Sequence, residues 1–249
     1  MGQHIGFRSG NPALGSETFR GFGTDAWERN MTIQGTVNKT GFALMLLVIT
    51  ATISWNETDE GMKTMYILIG FIVGFVVALI TMFNQEWAPI TVPIYALLEG
   101  LALGALSWFF EQSYPGIVAQ AIFCTFGTLF ALLLAYKSKL IKPTENFKLG
   151  VVAATGGIAF IYIISIIMSL FGSGIPVIHQ ATPLGILFSL FVVTIAALNL
   201  VLDFDFIEQG AEMGAPKHME WYGAFGLLVT LIWLYLEMLR LLAKLQSRR

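Results

Sequence analysis

Seven apolar stretches, each long enough or nearly long enough to cross a bilayer, occupy almost everything after Thr40. Hydrocarbon offers the backbone no water, so a chain that crosses it does so as helices of about 20 apolar residues or as a closed barrel of shorter strands. Runs of this length read as helices. The spans are expected at about Thr40–Trp55, Lys63–Phe83, Ala88–Phe110, Tyr114–Tyr136, Phe147–Phe171, Pro183–Phe206 and Trp221–Leu242, separated by short polar breaks such as Asn56 to Gly61 and Lys137 to Asn146. Composition agrees: 56% of residues are hydrophobic and only 12% charged, against roughly 25% charge in a soluble domain. The expected class is an all-α integral membrane protein of seven transmembrane helices, with the lipid bilayer as its first partner.

Residues 1–39 differ in kind, being rich in Gly, Asn, Ser and Thr with scattered charge and no run of spanning length. They are expected to form a soluble, partly disordered leader ahead of a transmembrane domain over 40–249. The leader lacks the pattern of a cleavable signal peptide, so the first span is expected to direct insertion. Met1-Gly2 does not open a myristoylation motif, because position 6 is Gly6 rather than Ser or Thr. A net charge of −2 supplies no basic field for nucleic acid. Cys124 is the single cysteine, which excludes an intrachain disulfide, and its place in an apolar run reads as a small core residue.

With the leader inside, the inner segments hold Arg8, Arg20, Arg29, Lys39, Lys137, Lys139, Lys142, Lys148 and Lys217, and the outer ones hold Lys63, Arg240, Lys244, Arg248 and Arg249. That excess favours a cytoplasmic N-terminus. An odd number of spans then places the C-terminal basic cluster outside, unless the last segment is re-entrant. Gly70-x-x-x-Gly74 and Gly100-x-x-x-Gly104 let backbones approach closely and read as packing within the chain rather than as a dimer face.

Carboxylates within or at the ends of the spans are the place to look for function, since an ionised one at the membrane centre costs at least about 2.5 kcal/mol. Glu99 stands near the middle of the third span and must face the protein interior, either as a hydrogen-bonded glutamic acid or as part of an ion or proton path. On the sixth, Asn199 and Asp203 are four apart and share one helix face, whereas Asp203 and Asp205 point different ways. Asp203 is the stronger functional candidate; Asp205 and Glu208 read as solvated acids at a helix end. In the last span Thr230, Trp233, Glu237 and Arg240 lie on one stripe, so Glu237 and Arg240 are expected to form a structural ion pair. His179 and His218 are expected to face solvent. The chain has no zinc-protease motif, phosphate-binding glycine loop or serine nucleophile elbow, and is expected not to be an enzyme.

These residues carry a resemblance. Glu99-Gly100-x-x-x-Gly104, Asp203-x-x-x-Ile207, and the close Leu234-Tyr235-Leu236 to Leu239-Arg240-Leu241-Leu242 look like the Bax inhibitor-1 family, also called transmembrane Bax inhibitor motif proteins. The opening Asn11-Pro12-Ala13-Leu14 and the stretch Glu220 to Gly226 resemble its prokaryotic branch. The resemblance implies six helices around a central C-terminal seventh, a bacterial plasma membrane, and a pH-sensitive calcium leak gated by protonation of intramembrane carboxylates. In the family one aspartate on the sixth helix and one on the seventh form the sensor, and an arginine ending the second helix can pair with the first. The motif carries the first onto Asp203. Thr230 or Glu237 falls at the second place, depending on which part of the last span is matched, and Phe83 to Trp87 supplies no arginine.

Two carboxyls close together in a dry bundle share a proton and titrate as a coupled unit, and deprotonation creates charged oxygen ligands for calcium. Asp203 and Asp205, with Glu99 and Asn199 along the path, are the candidates for a weak calcium site. No resident cofactor is expected; Ca2+ and H+ enter as permeant or regulatory ions. Two other classes stay open: an interaction protein that modulates a membrane protease or another integral protein, and a secondary ion or proton transporter, which would need inverted repeats that the sequence does not display.

Overall fold

A computed structural model describes residues 30–171 and 180–248. Among them are seven long helices: α1 (Ile33–Trp55), α2 (Glu60–Phe83), α3 (Ala88–Ser113), α4 (Ile117–Lys137), α5 (Glu145–Leu170), α6 (Pro183–Glu212) and α7 (Met219–Gln246), with a 3-10 turn at Gln85–Trp87 before α3. All seven are long and apolar enough to cross a membrane. Most of the leader and His179 lie outside the described residues.

Local chemistry explains the starts. Thr32 caps α1 by accepting from the Gly35 amide, Asp59 caps α2 through the Gly61 and Met62 amides, and Thr144 caps α5 through that of Phe147. Because the cap is Thr32, the first helix takes in residues 33–39, which composition alone assigns to the leader. Met31 is buried beside it, its amide donating to the Ala215 carbonyl at 2.6 Å. α6 runs to Glu212, almost two turns past the expected end at Phe206. It stops at Gly214, whose φ of 69° allows the Gly214 amide to reach Ala211 O and the Ala215 amide to reach Gly210 O. That paired closure is what a left-handed residue after a helix permits. α7 is one unbroken helix of 28 residues, about 42 Å long, enough to cross a bilayer in a single pass.

The burial pattern is inverted relative to a soluble protein. α1 buries Thr36, Thr40, Ala43, Thr50 and Ser54 while Val48, Ile49 and Ile53 stand exposed; α2 buries Lys63, Gly70, Gly74 and Thr81 and exposes Leu68, Ile72 and Phe75. Lipid is as apolar as leucine, so nothing drives large side chains inward, and small residues are selected where helices meet. The buried hydroxyls are satisfied on their own helix, as when Thr40 donates to Thr36 O at 2.9 Å. By the same logic Cys124, expected in the core, is exposed on α4. His218 is half-buried rather than solvent-facing. α3 and α7 are the most buried spans, at 61% of their apolar windows against 17–22% for α1, α2, α4 and α5.

The chain divides into two compact units. Of the described residues, one comprises 30–115 together with 206–229; the other comprises 116–171, 180–205 and 230–248. In the first, α3 packs against both α1 and α2 through glycines. A Cβ at Gly70 would meet Leu98 O at 2.6 Å, and Cβ atoms at Gly100 and Gly104 would lie 2.3 Å from Leu47 O and 2.0 Å from Ala51 O. Thr81 and Thr91 join α2 to α3 by a 2.7 Å hydrogen bond. In the second unit Ile158 of α5 and Val192 and Ile195 of α6 form a core, against which Tyr162, Phe188 and Trp233 pack.

Candidate functional site

Asp203 and Asn199 lie one turn apart on α6 and are 0% and 1% exposed. Their shared face is the one the four-residue spacing predicts. The Asn199 amide donates to the Thr155 hydroxyl of α5 at 2.9 Å and to Ile195 O at 2.9 Å. Its oxygen Oδ1 is buried and accepts no hydrogen bond among the described residues. A buried amide oxygen of this kind is a ready acceptor for water or a ligand to a cation.

The level of Asp203 on α7 follows from the helix pairing inside this unit. Trp233 packs on Val192 and Ile195, and Lys244 reaches Ser189 at 2.8 Å and the Gly185 carbonyl at 3.0 Å. The two helices therefore run in opposite directions. One turn back from Trp233 on α7 is Thr230, and one to two turns on from Ile195 on α6 are Asn199 and Asp203. Thr230, itself buried, lies on the Asn199 side of Trp233, more than one turn short of the level of Asp203. Glu237 is seven residues farther along, about 10 Å away along the axis. Glu237 is thus far from the level of Asp203.

Glu237 belongs to a different cluster. Its side chain is 2% exposed, and Oε1 accepts from Tyr162 Oη at 2.8 Å and from Arg240 Nη1 at 2.6 Å. Arg240 also donates to Tyr162 Oη at 2.6 Å and lies over the same ring, 5.2 Å from its centroid. One guanidinium and one phenol share one carboxylate oxygen, so the pair expected from their spacing is a trio. Tyr162 stands 75 residues away in the chain, and no local pattern announces it.

Asp205 also differs from its expected setting. Helix α6 does not end there, and the carboxylate pairs with Lys148 of α5 at 2.7 Å, itself 3.7 Å from Glu145. Glu208, one turn on, is exposed. Among the described residues no group of three His, Cys, Asp or Glu side chains is arranged to hold a metal ion.

Glu99 sits in the other unit. It is 5% exposed, hydrogen-bonded to Tyr95 one turn earlier, and Oε1 occupies the space Gly74 leaves open, 2.8 Å from where a Cβ would stand. Oε2 is buried and has no hydrogen-bond partner among the described residues.

Three polar contacts have no signal in local sequence: Thr155 to Asn199, Lys148 to Asp205, and Tyr162 to Glu237. A fourth cluster was half legible. Lys217 and Glu220 are three apart and pair at 2.6 Å, but Lys39 and Thr32, which also hold Glu220, come from α1 and the residue capping it.

A family model described as Bax inhibitor 1 like matches residues 11–247. No curated protein and no solved structure matches the chain.

Proposed function

The chain belongs to the Bax inhibitor 1 like family, and from that membership we propose that it is a pH-sensitive calcium leak of the bacterial plasma membrane, with Asp203 as its principal proton-binding group. The observation that carries the reading is the complete burial of Asp203 on α6, one turn from the buried amide of Asn199. A protonated Asp203 is compatible with a dry bundle. An ionised one demands water, a cation or a rearranged partner, and each of these loosens the path. Asn199 and Thr230 supply neutral oxygens, so the site binds calcium weakly and releases it quickly, as conduction requires.

The family's pair of aspartates becomes here a single aspartate on α6, with Glu237 too far along α7 to share its proton. Gating then depends on one titrating group at this level, and Glu237 keeps a structural role with Arg240 and Tyr162. Glu99 provides a second buried proton site in its own unit.

Orientation is part of the proposal. Three of the five cations on the outer side are engaged by the protein: Lys63 is buried, bonded to Glu57 O and 4.5 Å from the Trp108 ring centroid, while Arg240 and Lys244 hold the contacts given above. Lys137, Lys139 and Lys142 at the 138–144 turn remain exposed. The free cationic charge thus favours that turn and the N-terminus on the cytoplasmic side.

Calcium entry into dye-loaded proteoliposomes containing only the purified protein tests the function. Wild type should show flux that changes over about pH 5 to 8, and Asp203→Asn should alter that dependence while the protein still folds. An unchanged pH profile in Asp203→Asn removes Asp203 as the sensor. Absence of flux at every pH in that range removes the leak and favours an interaction protein.

A further inference from the structure

A cleft of about 450 Å³ opens between the first turns of α1 and the start of α7, inside one compact unit. Its floor is Glu220, whose side chain is 0% exposed. That carboxylate is held by the Thr32 amide at 2.9 Å and hydroxyl at 2.7 Å. Gly35 stands against it so closely that any side chain there would overlap the carboxylate. Two ammonium groups line the mouth, Lys39 at 19% and Lys217 at 44% side-chain exposure, and both also pair with Glu220. Two cations against one carboxylate leave a surplus positive charge at the rim.

One wall is aromatic. Trp221 and Phe42 meet edge to face at 6.1 Å, and Lys39 Nζ lies 5.7 Å from the Trp221 ring centroid. Phe42 is also part of the apolar surface of α1 that continues through Met45, Val48 and Ile49, all exposed. The cleft therefore opens onto the face that hydrocarbon covers, at a helix end where headgroups lie. Its contents are a cationic rim, an aromatic shelf and an apolar exit, and that combination matches one amphiphile with an anionic head. A free aqueous anion would gain nothing from Phe42 or from the apolar run behind it.

We propose that this cleft binds the headgroup of an anionic phospholipid, its phosphate accepting from Lys217 and Lys39 and its glycerol and first methylenes lying along Trp221 and Phe42. Thr32 keeps Glu220 satisfied as the lysines share the phosphate. The proposal does not depend on what the protein conducts.

The test is native mass spectrometry of the full chain released from nanodiscs holding equal phosphatidylglycerol and phosphatidylcholine. Wild type should retain phosphatidylglycerol over phosphatidylcholine about fivefold, and Lys217→Gln should remove most of that preference while Lys217→Arg keeps it. Lys39→Gln combined with Lys217→Gln should abolish it; if loss of Lys39 prevents folding, the half-exposed Lys217 decides the matter alone. Equal retention of the two lipids by wild type, or an unchanged preference in Lys217→Gln, overturns the proposal. So does displacement of phosphatidylglycerol by millimolar inorganic phosphate, which would mark a soluble-anion site. Protection against that displacement is the expected result.

Discussion

Replacing Gly104 with alanine pushes a methyl group into the backbone of α1. The new Cβ would lie 2.0 Å from Ala51 O and 2.3 Å from Ser54 Oγ, whereas ordinary contact begins at 3.4 Å. A carbonyl in mid-helix cannot rotate away, so α1 and α3 must separate locally by more than 1 Å. A gap of 0.5 to 1 Å already forfeits about a quarter to a half of each dispersion contact it opens. Overpacking of this kind typically costs 1–3 kcal/mol, and a backbone clash belongs at the upper end, about 3 kcal/mol, less about 0.9 kcal/mol for the better helix propensity of alanine. Thermal unfolding in detergent should therefore fall by roughly 4–8 °C for a chain of this size. Gly127→Ala, where nothing lies within 4 Å of the added methyl, is the control and should be neutral or slightly stabilising. Gly100 sits one turn away against the same helix, its Cβ position 2.3 Å from Leu47 O and 2.0 Å from Thr50 Oγ1. Once α1 has moved for one methyl it has largely moved for both, so the double variant should cost little more than either alone. Additive losses, or a Gly104→Ala loss indistinguishable from the Gly127→Ala control, would refute packing of these glycines against α1. A shift in oligomeric state with the fold intact would instead mark a dimer face.

Further outcomes are expected elsewhere. In a Cys124→Ser background, a cysteine introduced by Ser138→Cys should resist an impermeant thiol reagent applied to intact cells, and labelling from outside would reverse the topology. Arg240→Met strands the buried Glu237 with only Tyr162, and should lower stability by about 2 kcal/mol after allowance for the 36% exposure of the arginine; adding Glu237→Gln should recover much of that loss, and no recovery would show that the pair is not the cause. Glu237→Gln should leave the pH profile of flux in place, and its effect should add to that of Asp203→Asn. A coupling above roughly 1 kcal/mol between them would place Glu237 in the sensor after all.

The number and kind of spans were legible in the chain alone, because an apolar run of about 20 residues needs no tertiary information to be recognised. The shared face of Asn199 and Asp203 was equally legible, since a four-residue spacing on a helix fixes it. So was the proximity of Glu237 and Arg240. Where α6 ends was less plain: Asp205 and Glu208 look like a helix terminus, but the lysine that neutralises Asp205 comes from α5, and a paired carboxylate can sit well inside a helix. How far Glu237 stands from Asp203 also had to wait for the fold, because it rests on Trp233, Lys244 and Ser189 setting how α7 runs past α6. Cys124 shows the general reason. Hydropathy places it in an apolar environment and can say no more, because lipid and protein interior are equally apolar, and only the packing of helices decides which of the two a side chain meets.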